Sequence, residues 1–233
     1  MDRGLYIAAS GMLAEQVRQD QIANDLANAS TPGYKADRTA QQSFGNLLLS
    51  NSQTGQQIGP QSTAVQVRRI QTDFTPQPLR DTGEPLDFGI VGNGFFAVQT
   101  AQGVRYTRNG QFTSDGQGQL ITAQGDRVLG RNGRPITIGA DGRVDPRTLN
   151  VVLLNNPRKQ GDNYLTGTPG AVAGQTAGQV RAGALEASGA DPTRSMVDMI
   201  SSMRSYESGQ KVIQTIDETL QKAVTQVGSV TGA

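Results

Sequence analysis

Residues Gly92-Asn93-Gly94-Phe95-Phe96-Ala97 satisfy the spacing G-x-G-x-x-A, by which a glycine turn and a helix N-terminus cradle a dinucleotide pyrophosphate. That chemistry needs a helix to begin there, and Phe95-Phe96-Ala97-Val98-Gln99 reads as a strand, so the two glycines predict a β-turn instead. Asp81-Thr82-Gly83 copies the aspartic-protease triplet, which works only when two carboxylates share one proton. No second copy occurs, so a hydrolase using Asp81 would require a homodimer, and the flanking Arg80, Glu84 and Pro85 favour a turn. Asp115, Gly116 and Gly118 outline part of a calcium loop, but Gln117 and Gln119 stand where carboxylates are wanted and no Glu closes the ring. The chain has no His and no Cys, which removes imidazole acid/base chemistry, thiol nucleophiles, disulfides and thiolate metal sites. Without His a Ser nucleophile would need Lys as its base. The expectation is a non-enzyme with no catalytic, cofactor or metal residues.

The elements that would position any site divide the chain into helical ends and a β middle, an α+β class. Lys and Arg number 21 against 20 Asp and Glu, so a net charge of +1 offers no field for nucleic acid or an anionic membrane. Only 35% of the 233 residues are hydrophobic, and no run approaches the roughly 18 apolar residues of a membrane span. Glu15 interrupts the short apolar stretch at the start, so a cleaved secretory signal is not expected.

From Asp2 to about Asn28 there is no Pro, and Leu5, Met12, Gln19 and Leu26 recur at heptad spacing, with Ile22 on an intervening half-turn. Ser30-Thr31-Pro32-Gly33 stops this helix. Asp191-Pro192 opens a second, with Asp as N-cap and Pro at the first turn. Its seam steps by three and four through Met199, Met203, Tyr206, Gln210, Ile213, Ile216, Leu220, Val224 and Val227. A helix from Pro192 to Val227 would be about 54 Å long, more than a small domain needs. Two long helices with narrow seams, joined by a turn-rich domain, have little to bury against except each other and neighbouring copies.

Between them Gly punctuates strand-length runs: Leu86 to Val91, Phe95 to Thr100, Tyr106 to Thr107, Gln119 to Thr122 and Arg134 to Ile138. The predicted organisation is a discontinuous helical domain of residues 1–33 and 189–233, coiled-coil-like, an extended connector at 34–82 and a Gly-rich central β domain at 83–188. The connector holds an apolar island at Leu47-Leu48-Leu49 and a strand at Thr63 to Ile70, and Gly161 to Gly178 reads as loop.

Four stretches together resemble the flagellar axial family of rod and hook proteins. Ile22-Ala23-Asn24-Asp25-Leu26-Ala27-Asn28-Ala29-Ser30-Thr31-Pro32-Gly33-Tyr34-Lys35 resembles its N-terminal rod motif, with Asp25 where Asn is usual. Leu86-Asp87-Phe88-Gly89-Ile90 with Gly92, Gly94, Phe95, Phe96 and Val98 is similar to the opening of its β domain, and Tyr106-Thr107-Arg108-Asn109-Gly110-Gln111-Phe112 to the block that follows. The fourth stretch runs from Gly183-Ala184-Leu185-Glu186-Ala187-Ser188 through Arg204-Ser205-Tyr206-Glu207 to Asp217-Glu218, and departs from the family at Gly189-Ala190-Asp191. The resemblance is to the FlgF/FlgG rod proteins, the Met-Asp-Arg start and modest length leaning to the former, with distal and proximal rod positions both open.

The resemblance implies a structural subunit, passed unfolded through the flagellar export apparatus without a cleaved signal. It would be added to a helical homo-oligomer in the basal body, its terminal helices innermost and its β domain outside, in the periplasm or cell-wall space, beside other rod and hook proteins. It implies no cofactor, small-molecule substrate, nucleic acid or membrane insertion. The expected assembly interface is Leu5, Met12, Ile22, Leu26, Met199, Met203, Tyr206, Ile213, Ile216, Leu220 and Val227. Seams left open in one chain would not offset the entropy of ordering the ends, so both are expected to stay disordered until neighbours arrive. The competing class is a soluble β-domain binding module with a helical dimerisation stalk.

Overall fold

The computed structural model describes residues 3–50, 57–161, 163–170, 174 and 176–229. In chain order the elements are α1 (Arg3–Ala27), β1 (Asp37–Ser50), β2 (Gln57–Thr72), β3 (Leu79–Asp81), β4 (Phe88–Val91), β5 (Phe95–Thr100), β6 (Gly103–Thr107) and β7 (Phe112–Ser114). They continue with β8 (Leu120–Thr122), β9 (Arg127–Val128), β10 (Val151–Val152), β11 (Leu154–Lys159), β12 (Tyr164–Pro169), β13 (Gln179–Ala182), β14 (Ala184–Glu186) and α2 (Pro192–Ser229). The class is α+β. Two compact units divide the chain: residues 1–26, 37–71 and 192–233 form the first, residues 27–36 and 72–191 the second.

In the first unit β1 and β2 pair as a two-stranded sheet, and α1 and α2 run antiparallel. The direction follows from the contacts: Gly4 lies against Ile216, Met12 against Gly209, Ser202 Oγ donates to Glu15 Oε2 at 2.6 Å, and Arg18 approaches Asp198 at 3.9 Å. The positions of α2 withdrawn from solvent are Ser195, Met199, Ser202, Tyr206, Gly209, Ile213 and Ile216, again in steps of four and three, with Asp198 beside them. Relative to the seam read from the sequence, Ser202 and Gly209 replace Met203 and Gln210. The reason is room: a Cβ on Gly209 would sit 2.7 Å from Met12 Cγ, so the residue opposite that methionine must be small. Each seam thus has a partner within one chain, which differs from ends left open for neighbours.

The second unit is built on an eight-stranded sheet in the order β11-β12-β6-β5-β9-β8-β7, with β10 also pairing to β5. Two shorter ladders join β13 to β4 and β14 to β3, all antiparallel. Its core has two clusters, as the two faces of a pleated sheet require. Phe88, Ile90, Phe96, Val98, Phe112, Leu120, Val128 and Leu149 form part of one, while Phe95, Ala97, Tyr106, Leu129, Leu154 and Leu165 form the other.

The strand expected at Arg134 to Ile138 is absent, leaving only single bridges at Pro135 and Thr137, because Pro135 has no N–H to give a ladder. The loop expected over Gly161 to Gly178 contains β12, whose Tyr164 and Leu165 pair with β6. Residues 162, 171–173 and 175 of that loop lie outside the described residues.

Candidate functional site: a buried charge junction and two helix faces

Glu186, the last residue of β14, is sealed at 0% side-chain exposure and faces two cations, each 3% exposed. Lys35 Nζ donates to Glu186 Oε1 at 2.7 Å and to the Thr75 carbonyl at 2.7 Å. The Gln77 amide donates to the same carboxylate oxygen at 2.8 Å. Arg108 Nε donates to Oε2, its Nη2 to the carbonyls of Ile90 (3.1 Å) and Gly92, and its Nη1 to that of Gly94. Two cations on one carboxylate leave a buried excess of one positive charge, spread over main-chain carbonyl dipoles. Burial accordingly pushes the Lys35 ammonium below its ordinary 10.5, with Glu186 opposing the shift and Arg108 reinforcing it.

The main chain around the junction is equally tied. The Gly33 amide donates to the Glu186 carbonyl at 3.0 Å, the Gly189 amide to the Tyr34 carbonyl at 2.8 Å, and Ser188 Oγ to the Asn28 carbonyl at 2.9 Å. Gly33 takes φ +65° with its α-carbon pressed on the Arg108 carbonyl, where a Cβ would come within 2.5 Å of main-chain atoms. Lys159 lies 4.3 Å over the Tyr34 ring. A carboxylate with no path to solvent performs no chemistry on a ligand; what this arrangement can do is hold four distant pieces of chain together.

The places where the sequence suggested catalysis have ordinary structural duties. Gly92 and Gly94 take φ +99° and +126° in a turn that runs into β5, with no helix following, and their carbonyls hold Arg108. Asp81 is exposed and pairs with Arg181 at 2.8 Å. Asp115 Oδ1 accepts the amides of Gln117 and Gln119, the use of an Asp in a tight turn. Among the described residues no group of three or more acidic side chains could hold a metal ion, and no helix is long and apolar enough to cross a membrane.

Of the expected interface residues, Ile22 is buried, and Met12, Leu26, Met199, Tyr206, Ile213 and Ile216 are half-buried. Leu5, Met203 and Leu220 are exposed; the side chain of Val227 lies outside the described residues. Sequence reasoning passed over a second set turned away from the helix pair: Tyr6 (63%), Leu13 (64%) and Val17 on α1, and Val197 (62%) and Ile200 on α2. On α2 these last two line a shallow trough with Ser201, Arg204, Ser205 and Ser208. Their signal was available, since Tyr6, Leu13 and Val17 fall on one helical stripe about a third of a turn round from the heptad seam.

All four stretches that carried the resemblance meet at the junction: Lys35 from the first, the Ile90, Gly92 and Gly94 carbonyls from the second, Arg108 from the third and Glu186 from the fourth. Comparison with known proteins agrees with that convergence. Residues 5–35 match the family described as flagella basal body rod protein, residues 89–150 the flagellar hook protein FlgE/F/G D1 domain, and residues 181–226 the flagellar basal body rod FlgEFG protein C-terminal. The chain is 32% identical to the flagellar basal-body rod protein FlgF of Caulobacter vibrioides, over 99% of this chain and 100% of that one. This chain belongs to the flagellar basal-body rod protein family. The rod protein is likewise 30% identical to the flagellar hook-basal body complex protein FlhO of Bacillus subtilis (99% and 100% covered) and 32% to the FlgG rod protein of the same organism (96% and 98%). Membership puts it in the flagellar basal body, as a structural protein of the rod.

Proposed function

We propose that this rod protein is a non-catalytic, self-assembling subunit whose terminal helices meet those of neighbouring copies head to tail. Contacts of that kind do not close on themselves, and so build a helical tube rather than a ring. The observation that carries the reading is the exposure of large apolar side chains along both helices: Tyr6, Leu13, Met196, Val197, Ile200 and Met203 are each half exposed or more. A single helix pair covers one side of each helix, and the other side needs partners to be withdrawn from water. Other rod and hook proteins continue the structure at its ends, and the subunit reaches them unfolded through the export apparatus.

The reading is tested by Leu26→Asp and Leu220→Asp in motile cells. Both variants should fail to incorporate into basal bodies while the second unit keeps its fold, and normal incorporation of both would remove the helices from the interface. Light scattering separates the competing stalk model, which requires a stable closed dimer rather than open-ended growth.

A further inference from the structure

The buried residues of the second unit's two apolar clusters all lie between Phe88 and Leu165, with Phe74, Leu86 and Val180 packed against them from outside that segment. By area alone, that segment has what it needs to fold before the rest of the chain is in place. What it lacks is a carboxylate at Arg108. Arg108 is carried into the interior by three carbonyls no more than 18 residues away in sequence, and Lys35 arrives from the other end of the chain. Carbonyl oxygens solvate these cations without neutralising them, and Asp73 adds only a minor attraction at Lys35. The carboxylate that meets both, Glu186, lies 78 residues after Arg108 and 151 after Lys35. It sits on a strand of three residues that pairs only with β3, and the buried Ala184 and Leu185 of that strand belong to neither apolar cluster. Two unneutralised charges buried side by side cost as much as a typical domain's whole margin of stability.

We propose that Glu186 is a completion latch: the second unit reaches its folded state only when this carboxylate arrives, so a chain whose C-terminal part is not yet in place stays open although the buried residues of both apolar clusters are present. The latch works by charge and not by packing. For a subunit that must travel unfolded, as the proposed function requires, it ties folding to delivery of the complete chain; the latch itself stands or falls independently of assembly.

The test is native-state amide hydrogen exchange on the full-length chain, read at Phe96, Val98, Leu120 and Val128 in the core strands. Glu186→Gln keeps the shape and removes the charge, and should lower protection at these amides by at least about a hundredfold, the loss expected when one member of a buried ion cluster is neutralised. Lys35→Met combined with Glu186→Gln removes one of the two cations left without a counter-charge, and should recover at least about tenfold of that loss. Protection of Glu186→Gln within about threefold of the parent overturns the latch, as does a loss that the double variant fails to recover, for then hydrogen bonds or shape rather than charge would be limiting. Complete unfolding of Glu186→Gln leaves the double variant as the deciding measurement.

Discussion

Gly33→Ala is the sharpest probe of how the N-terminal motif is seated. At φ +65° a side chain costs about 1–2 kcal/mol from its own backbone. The added Cβ would also lie 2.5 Å from the carbonyl carbon and oxygen of Arg108 and 2.7 Å from the Asn109 nitrogen. These are main-chain atoms that cannot swing aside, so crowding adds about 1–3 kcal/mol. The sum, about 2–5 kcal/mol, corresponds to a fall in Tm of about 4–20 °C for a chain of this length. Gly133→Ala supplies the control: its φ is +73°, but nothing lies within 4 Å of the new Cβ, so only the backbone term of about 1–2 kcal/mol applies. Calorimetry on the two full-length variants measures the difference directly. Equal drops in Tm would mean that the close approach of Gly33 to Arg108 does not exist in solution.

Lys35→Met should change the pH dependence of stability in a defined direction. The folded-state pKa of Lys35 lies below the unfolded 10.5, so between the two the unfolded chain binds more protons and stability rises with pH. That rise should flatten in the variant. Urea titrations should stop short of 10.0, above which the raised pKa of buried Tyr106 acts with the opposite sign: the unfolded phenol loses its proton first and stability falls. Gly11→Ala, in the interior of α1 with open space at its Cβ, should stabilise that helix by about 1 kcal/mol, visible as a higher midpoint in far-ultraviolet circular dichroism. Tyr164→Phe removes a hydroxyl held by Asp126 Oδ2 at 2.7 Å and Thr122 Oγ1 at 3.0 Å, and should cost about 1–3 kcal/mol in denaturant unfolding; a midpoint shift near zero would show the network to be dispensable.

Much of this architecture is legible in the sequence, because its strongest signals are local. The helix ends follow from Pro32 and Pro192, and the strands at Phe95 to Thr100 and Leu120 to Thr122 from β-branched and aromatic residues between glycines. What escaped was decided by tertiary contacts. Periodicity could not choose between Ser202 and Met203 for the helix seam, since the choice depends on the methionine opposite, and small residues carry no hydrophobic signal. The strand at Tyr164 to Pro169 is hidden in a polar, Gly-containing stretch and is fixed by pairing with β6. The charge junction was the largest omission. Lys35, Arg108 and Glu186 each sit between small or apolar neighbours inside a recognised stretch, yet nothing local says that three charges separated by up to 151 residues share one buried point.

The hydrogen bonds from Gly33 to Glu186 and from Gly189 to Tyr34 put the inbound and outbound passes of the chain side by side within the second unit. A module clasped at adjacent ends can lengthen its loops, or exchange them, while its two attachment points keep their spacing. The alignment with the FlhO protein spans 272 positions against the 233 residues of this chain, so length does vary among such relatives. Size can therefore evolve on the far side of the clasp, leaving the helical ends of the chain untouched.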